Sequence, residues 1–303
     1  MRMMRARLLS VTTLLTALFT ALPCLLLASA ANADTYRGNS FEQHQQRPQM
    51  PGANLVRRIF GEDKLYFRLG ASFLEPNLKT RSIELKNLSN IAEVAVEPGP
   101  QEGEAYAEGI LLPGAIVGYN LPWGRGWSVE TIIGLPPTLE VKLKGPIADE
   151  PLVEEAQGIP TGVSPLGSDA VETKVIPPIV TLVKRFRPER DIRPYAGLGM
   201  TYLYSYDTRV TNALLTEVGH PDVDIENRFG WVAQAGIDYR LSGYWWANLD
   251  VKYVSVPKVK GTMRRTFIRA PGLPQYEFVE VGDAEFVADM EAFAVHLGIG
   301  FTF

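Results

Sequence analysis

Side chains suited to covalent or metal chemistry are few in this chain: histidine occurs only at His44, His220 and His296, and cysteine only at Cys24. The histidines fall at no His-x-x-x-His spacing, which would set two of them on one helix face, and no Gly-x-Ser-x-Gly elbow is present. Covalent catalysis needs a nucleophile beside a positioned base, and a metal needs clustered ligands. Neither pattern is written here, so the expectation is a non-enzyme with no cofactor and no metal.

A second set of polar residues is of interest for its setting. Arg68, Glu130, Asp238, Arg240, Asn248, Asp250, Lys252 and His296 all fall at even positions within runs whose odd positions are largely apolar. Strand side chains alternate between two faces, so these eight are expected to share an inner, lumen-lining face. There they could form a salt-bridged plug or line a narrow polar path. The interior of a small barrel is mostly filled by side chains, which favours the plug. Two proline pairs, Pro136-Pro137 and Pro177-Pro178, flank one long connection. Proline has no backbone donor, so four ladder bonds would be missing along one seam. The seam is expected to part as a lateral gate; the plainer reading is that the prolines only end the ladder.

The elements that must position these residues announce themselves in the closing stretch. From Phe293 to Phe303, every odd position is a large apolar residue and every even one is small or polar. Seven earlier runs repeat the period: Leu65 to Phe73, Ile110 to Tyr119, Trp127 to Gly134, Ile179 to Phe186, Arg193 to Tyr206, Trp231 to Leu241 and Trp245 to Tyr253. Their connections alternate long and short. An even set of strands of about nine to eleven residues, with turns at one end and loops at the other, is the pattern of a barrel that crosses a bilayer. The fold expected is therefore all-β, an eight-stranded antiparallel up-and-down transmembrane β-barrel with long extracellular loops. Trp123, Trp127, Trp245 and Trp246 cluster at the short turns, as an interfacial belt would.

The remainder is bounded by composition. The chain has 303 residues with Lys+Arg 30 against Asp+Glu 34, which offers no basic patch to nucleic acid. Basic Arg2, Arg5 and Arg7, an apolar Leu8 to Leu27 and small residues up to Ala33 read as a signal peptide over residues 1–33. Residues 34–64 read as a flexible polar periplasmic lead-in, with Arg57, Arg58, Ile59 and Phe60 as either a helical turn or a plug. Residues 65–303 are the barrel. The loops hold Asp149, Glu150, Glu154, Glu155, Asp222, Asp224, Asp283 and Glu285 without the spacing of a calcium loop; they read as solvated surface.

Several stretches resemble the outer membrane protein W (OmpW) family: Ile176-Pro177-Pro178 entering a strand, Arg193-Pro194-Tyr195-Ala196-Gly197-Leu198-Gly199, Gln234-Ala235-Gly236-Ile237-Asp238-Tyr239, and the closing Leu297 to Phe303. The resemblance implies a barrel of the Gram-negative bacterial outer membrane that passes small hydrophobic molecules. It also implies an assembly signal in Phe301 and Phe303, read by the barrel-assembly machinery. Lipid, lipopolysaccharide and hydrophobic solutes are the partners expected. The alternative is a non-conducting structural or surface-binding barrel of the adhesin or receptor kind.

Overall fold

The computed structural model describes residues 53–89, 92, 99–242, 245–273 and 278–302. The signal segment 1–33, most of the lead-in, Gly243 in the tight hairpin and Phe303 of the assembly signal lie outside the described residues. Helix α1 (Ala53–Phe60) occupies the part of the lead-in where a helical turn or a plug was expected.

Alternation of large apolar with small or polar residues produces eight barrel strands. They are β1 (Leu65–Lys86), β2 (Ile110–Asn120), β3 (Trp127–Gly134), β4 (Ile179–Arg185), β5 (Ile192–Val210), β6 (Arg228–Ser242), β7 (Trp245–Arg269) and β8 (Phe278–Thr302). Each pairs antiparallel with its neighbours in sequence, and β8 closes on β1 with Tyr66 opposite Thr302 and Ser72 opposite His296. Closure pairs each of the eight strands on both sides, as a bilayer without water to satisfy free edges requires; the β3–β4 ladder is the shortest. The β2–β3 turn takes left-handed backbone at Gly124 (φ +114°) and Gly126 (φ +81°), which glycine adopts without a side-chain penalty.

One apolar band rings the outside. Leu69, Leu198, Met200, Ile237, Phe293, Leu297 and Ile299 are exposed on it. Aromatic girdles bound it at both ends: Phe67, Phe301 and Trp245 meet at centroid distances of 5.7 and 5.6 Å on the turn side, and Trp231, Tyr253 and Phe293 at 5.2 and 5.1 Å on the loop side. These are the girdles expected at two membrane–water interfaces. Trp246 departs from that expectation. Its even register turns it inward, where it is buried beneath the guanidinium of Arg193 at 3.6 Å.

Much of what reads as long loop is extended strand. β1, β5, β7 and β8 run 22, 19, 25 and 25 residues, beyond what a bilayer requires. Above the girdle their outer face turns from apolar to ionic, with Lys79–Glu291 at 2.8 Å, Arg81–Asp289 at 2.6 Å and Lys260–Glu285 at 2.6 Å. Bulges between Thr80 and Ser82 and between Val256 and Val259 shift the register. In β1 the shift moves the inward face from even to odd positions, so that Ile83 and Leu85 point inside.

By contrast, β3 and β4 span only 8 and 7 residues and stop at the proline pairs. Beyond them the chain resumes as Thr138–Lys144 and Asp169–Ile176, which pair with each other. Asp169–Ile176 also pairs with upper β5, and Thr138–Lys144 with Glu104–Ala107. Asp222–Ile225 pairs with upper β7.

Candidate functional site: floor, chamber and seam

The lower interior is filled by charge. Glu130 on β3 accepts from Tyr66 (2.6 Å) and Arg68 (2.8 Å) of β1, from Arg185 of β4 (2.9 Å) and from Gln234 of β6 (2.7 Å). Asp238 of β6 accepts from Arg68 and Arg185, both at 3.1 Å, and from Asn248 of β7 at 2.8 Å. Asp250 of β7 accepts from Tyr195 of β5 (2.7 Å), from Gln234 (2.8 Å) and from its own strand's Lys252. Thr181 of β4 and Ser128 of β3 complete the layer by bonds to Gln234 and Arg185, each at 2.7 Å. Ser72 and His296 share a bond of 2.9 Å between β1 and β8.

Three cations (Arg68, Arg185, Lys252) thus face three carboxylates (Glu130, Asp238, Asp250), all buried. Six of the eight strands hold these groups and their direct partners. Burying charge in an interior is tolerated when every charge is paired and hydrogen-bonded. The rings of Tyr66 and Tyr195 stack on the guanidiniums, with Arg185 Cζ at 4.5 and 5.6 Å from their centroids. Glycine makes room for them: a Cβ on Gly118 would lie 2.0 Å from Tyr66 Cζ, and one on Gly236 would lie 2.4 Å from Tyr195.

Of the eight residues expected on the inner face, Arg68, Glu130, Asp238, Asn248, Asp250 and Lys252 meet in this layer. His296 lies beside it with Ser72. Arg240 is also turned inward but sits at the turn-side mouth, half exposed and paired with Asp191 at 3.4 Å. That mouth is a vestibule of about 410 Å³ lined by Lys64, Arg125, Arg193 and Trp246, with Arg68 and Arg185 at its end. Sequence reasoning missed Arg185, Tyr66, Tyr195 and Gln234 as members of the layer. Arg185 was legible, since Ile179, Thr181, Val183 and Arg185 alternate as one face of β4.

Above the floor the interior becomes apolar. A cavity of about 70 Å³ lies among Leu139, Val175, Leu203, Ile225, Val259, Ala288 and Met290. A larger one of about 180 Å³ continues upward among Ile83, Leu85, Val141, Leu143, Leu166, Leu215, Val281 and Phe286. The two abut, with Val141, Ile225, Gly261 and Phe286 in their common wall, and together make up the chamber. Over the top, Ala92, Val153, Val163, Leu215, Ile268 and Ala270 pack into a buried apolar cluster.

The proline pairs border a gap near the foot of this chamber, offset along it, with Pro137 across from Val175 and Pro178 beside Tyr202 of β5. The β3–β4 ladder ends at Thr131 opposite Val180, and pairing resumes only at Thr138 opposite Lys174. The Val175 N–H donates to Pro137 O at 3.1 Å across the upper end of the gap, and Pro178 O accepts from Tyr202 on β5 at 3.3 Å. The outer lips are apolar and exposed: Ile133, Leu135, Ile176 and Val180. Inside, Leu139 and Val175 border the gap and line the chamber. Among the described residues, no group of three or more His, Cys, Asp or Glu is placed to hold a metal ion.

The model of the OmpW family matches residues 64–266. Outer membrane protein W of Vibrio cholerae is 33% identical over 101 residues, 32% of this chain and 46% of that protein. An uncharacterized outer-membrane protein, y4mB, of Sinorhizobium fredii is 30% identical over 99 residues, 33% of this chain and 37% of that one. The chain thus spans less than half the length of either relative. Among solved structures, OprG from Pseudomonas aeruginosa superposes with a TM-score of 0.59 at 18% identity, covering 79% of this chain and 95% of that one.

Proposed function

The chain belongs to the OmpW family and lies in the bacterial outer membrane, and from that premise we propose that it passes small hydrophobic molecules and releases them sideways into the bilayer. The observation that carries this reading is the stacking of an apolar chamber on a closed ionic floor. A solute held in the chamber gains by leaving water, at roughly 25 cal/mol per Å² of apolar surface. To continue along the axis it would have to part six paired, buried charges, whose separation costs several kcal/mol per ion. The seam offers a cheaper way out. Strand edges alternate in direction, so Pro137 and Pro177 withhold their donors from the seam, while Pro178 turns its carbonyl to Tyr202 of β5. Between the two ladders the Val175 N–H to Pro137 O bond crosses the gap, so opening there breaks few hydrogen bonds. The side chains at the lips of the seam are apolar and exposed on the outer wall, so a hydrocarbon crossing there meets Ile133, Leu135, Ile176 and Val180.

In this reading Arg68, Glu130, Asp238, Asn248, Asp250 and Lys252 seal the barrel. The release path is made by the proline seam. The test replaces Pro136, Pro137, Pro177 and Pro178 with Val or Thr, which can complete the ladder, and follows a radiolabelled alkane into proteoliposomes whose outer leaflet carries lipopolysaccharide. Uptake is expected to fall while the barrel's heat-modifiable migration on gels is kept. Undiminished uptake by the folded variant would sink the gate.

A further inference from the structure

A chamber with a sealed floor and a packed roof needs a way in, and the wall holds a second interruption that the proline seam does not explain. β1 pairs with β2 from Leu65 to Leu74, and on that same side next meets Gly99–Pro100 at Glu84 and Leu85. Among the described residues, its edge on that side has no ladder partner from Glu75 to Ile83. The strand that faces it, Glu104–Ala107, is paired on its far side to Thr138–Lys144, and among the described residues has no ladder partner on its near side. The edges touch through the Ala105 N–H, which donates to Thr80 Oγ1 at 2.9 Å, and at the top through Gln101 N–H to Ile83 O at 2.7 Å. Between them is a slot of about 320 Å³ lined by Pro76, Leu78, Lys79, Thr80, Glu104, Tyr106 and Lys144.

Behind the slot is the chamber. Pro76 and Leu78 line both the slot and the lower cavity, while Ala105 lines both the slot and the upper one. Those three residues are common to the wall of the slot and the wall of the chamber. The slot differs from the proline seam in its chemistry. Its outer rim carries Lys79, paired with Glu291 at 2.8 Å, and Lys144, paired with Glu104 at 2.7 Å. Those groups stand above the Trp231–Tyr253–Phe293 girdle, at the level of sugars and headgroups rather than of acyl chains. The remaining break in the upper ladder, between β5 above Leu203 and Asp222–Ile225, is tied by Asn227 Oδ1, which accepts from Ser205 N–H at 3.0 Å.

We propose that this slot is the side inlet of the chamber, and that it admits amphiphiles, molecules with an apolar body and one polar group. The body enters past Pro76, Leu78 and Ala105 while the polar group stays hydrogen-bonded at the Lys79–Glu104–Lys144 rim until the tail is housed. The inference rests on the passage reading above but names a different opening and a narrower class of solute.

Its test is a staple. Thr80 and Ala105 make the close contact across the slot, and Cys24 is the only native cysteine, so Thr80→Cys with Ala105→Cys in a Cys24→Ala background gives one reversible crosslink. Uptake of a radiolabelled alkanol is measured in the same lipopolysaccharide-coated proteoliposomes. The oxidised protein is expected to fall to the level of protein-free vesicles, and reductant to restore it. As a second variant, Lys79→Cys carrying a bulky maleimide should plug the slot from outside with the same loss. Undiminished uptake by either blocked protein, beside an active unblocked chain, would overturn the inlet and leave the proline seam standing. An unblocked chain that takes up no more than protein-free vesicles would overturn the passage reading and the inlet with it.

Discussion

Glu130→Gln tests whether the floor is a dry, closed layer. The substitution keeps shape and removes one charge from a side chain only 1% exposed. Four hydrogen bonds converge on that carboxylate, three of them on Oε1 from Tyr66, Arg68 and Arg185. Taken singly, bonds to an ionised group contribute about 1.5–3 kcal/mol each, but they do not add, and the amide oxygen still accepts from at least one guanidinium. What remains is one uncompensated buried cation, because Arg68 and Arg185 are left sharing Asp238 alone. Breaking a buried pair from one side costs about 3–5 kcal/mol. Removing one charge from an exposed pair, by Lys79→Gln facing Glu291, should cost far less, because water screens it. The assay is reversible guanidinium unfolding of the refolded barrel in bilayers, followed by tryptophan fluorescence. Adding Arg185→Gln to Glu130→Gln restores charge balance and should recover part of the loss, a coupling of about 0.5–3 kcal/mol. If Glu130→Gln costs no more than Lys79→Gln, the layer is wet and screened, and the reasoning from a closed floor fails.

Gly118→Ala would drive a methyl into the Tyr66 ring and dislodge its bonds to Ser128 and Glu130, an overpacking loss of about 1–3 kcal/mol in the same unfolding assay. Gly261 lies where the two cavities join, and a Cβ there meets nothing closer than 3.8 Å. Gly261→Leu should therefore fold normally and cut hydrophobic uptake by filling the neck; a folded variant with full uptake would count against the chamber as the path. Outside the membrane, hydrogen bonds from Lys174 and Arg209 hold Asp207 below its usual carboxylate range, as those from Lys260 and Lys86 do for Glu285 and that from Arg81 does for Asp289. A depressed folded pKa contributes stability above the unfolded value and loses it as pH falls through the folded one. The ionic extension should therefore keep its hydrogen-exchange protection from neutral pH down to about pH 4; loss of protection near pH 6 would contradict these pairs.

How far the sequence revealed this structure depended on which side of a strand met lipid. In β6, Trp231, Ala233, Ala235, Ile237 and Tyr239 face outward against Gln234 and Asp238, so the period of two is explicit and the strand is legible. Above the membrane the outer face is ionic and the apolar residues turn inward, as at Lys79, Arg81, Ile83 and Leu85. The bulge at Arg81 also breaks the period, so the alternation legible in the sequence of β1 stops near Phe73. In β7, Pro257 and the left-handed Lys258 (φ +54°) imitate the start of a loop although they form a bulge. The members of the floor were partly visible as inward charges. Arg185 follows the period of β4 and was legible, whereas Tyr66 and Tyr195 look like ordinary strand aromatics that only closure of the ring brings together. The proline pairs were visible as donors missing from the ladder, but the slot beside β1 was not, because it arises from which strands fail to pair rather than from any residue type.

The measurement that bears most directly on sideways passage is ionic conductance and hydrophobic uptake, taken on the same preparation of folded protein. A sealed floor with a lateral route predicts uptake well above that of protein-free membranes, together with conductance at the level of the bare bilayer. Resolved conductance steps, blocked by the solute that is taken up, would mean an axial pore through Arg68, Glu130 and Asp238 and would contradict the account.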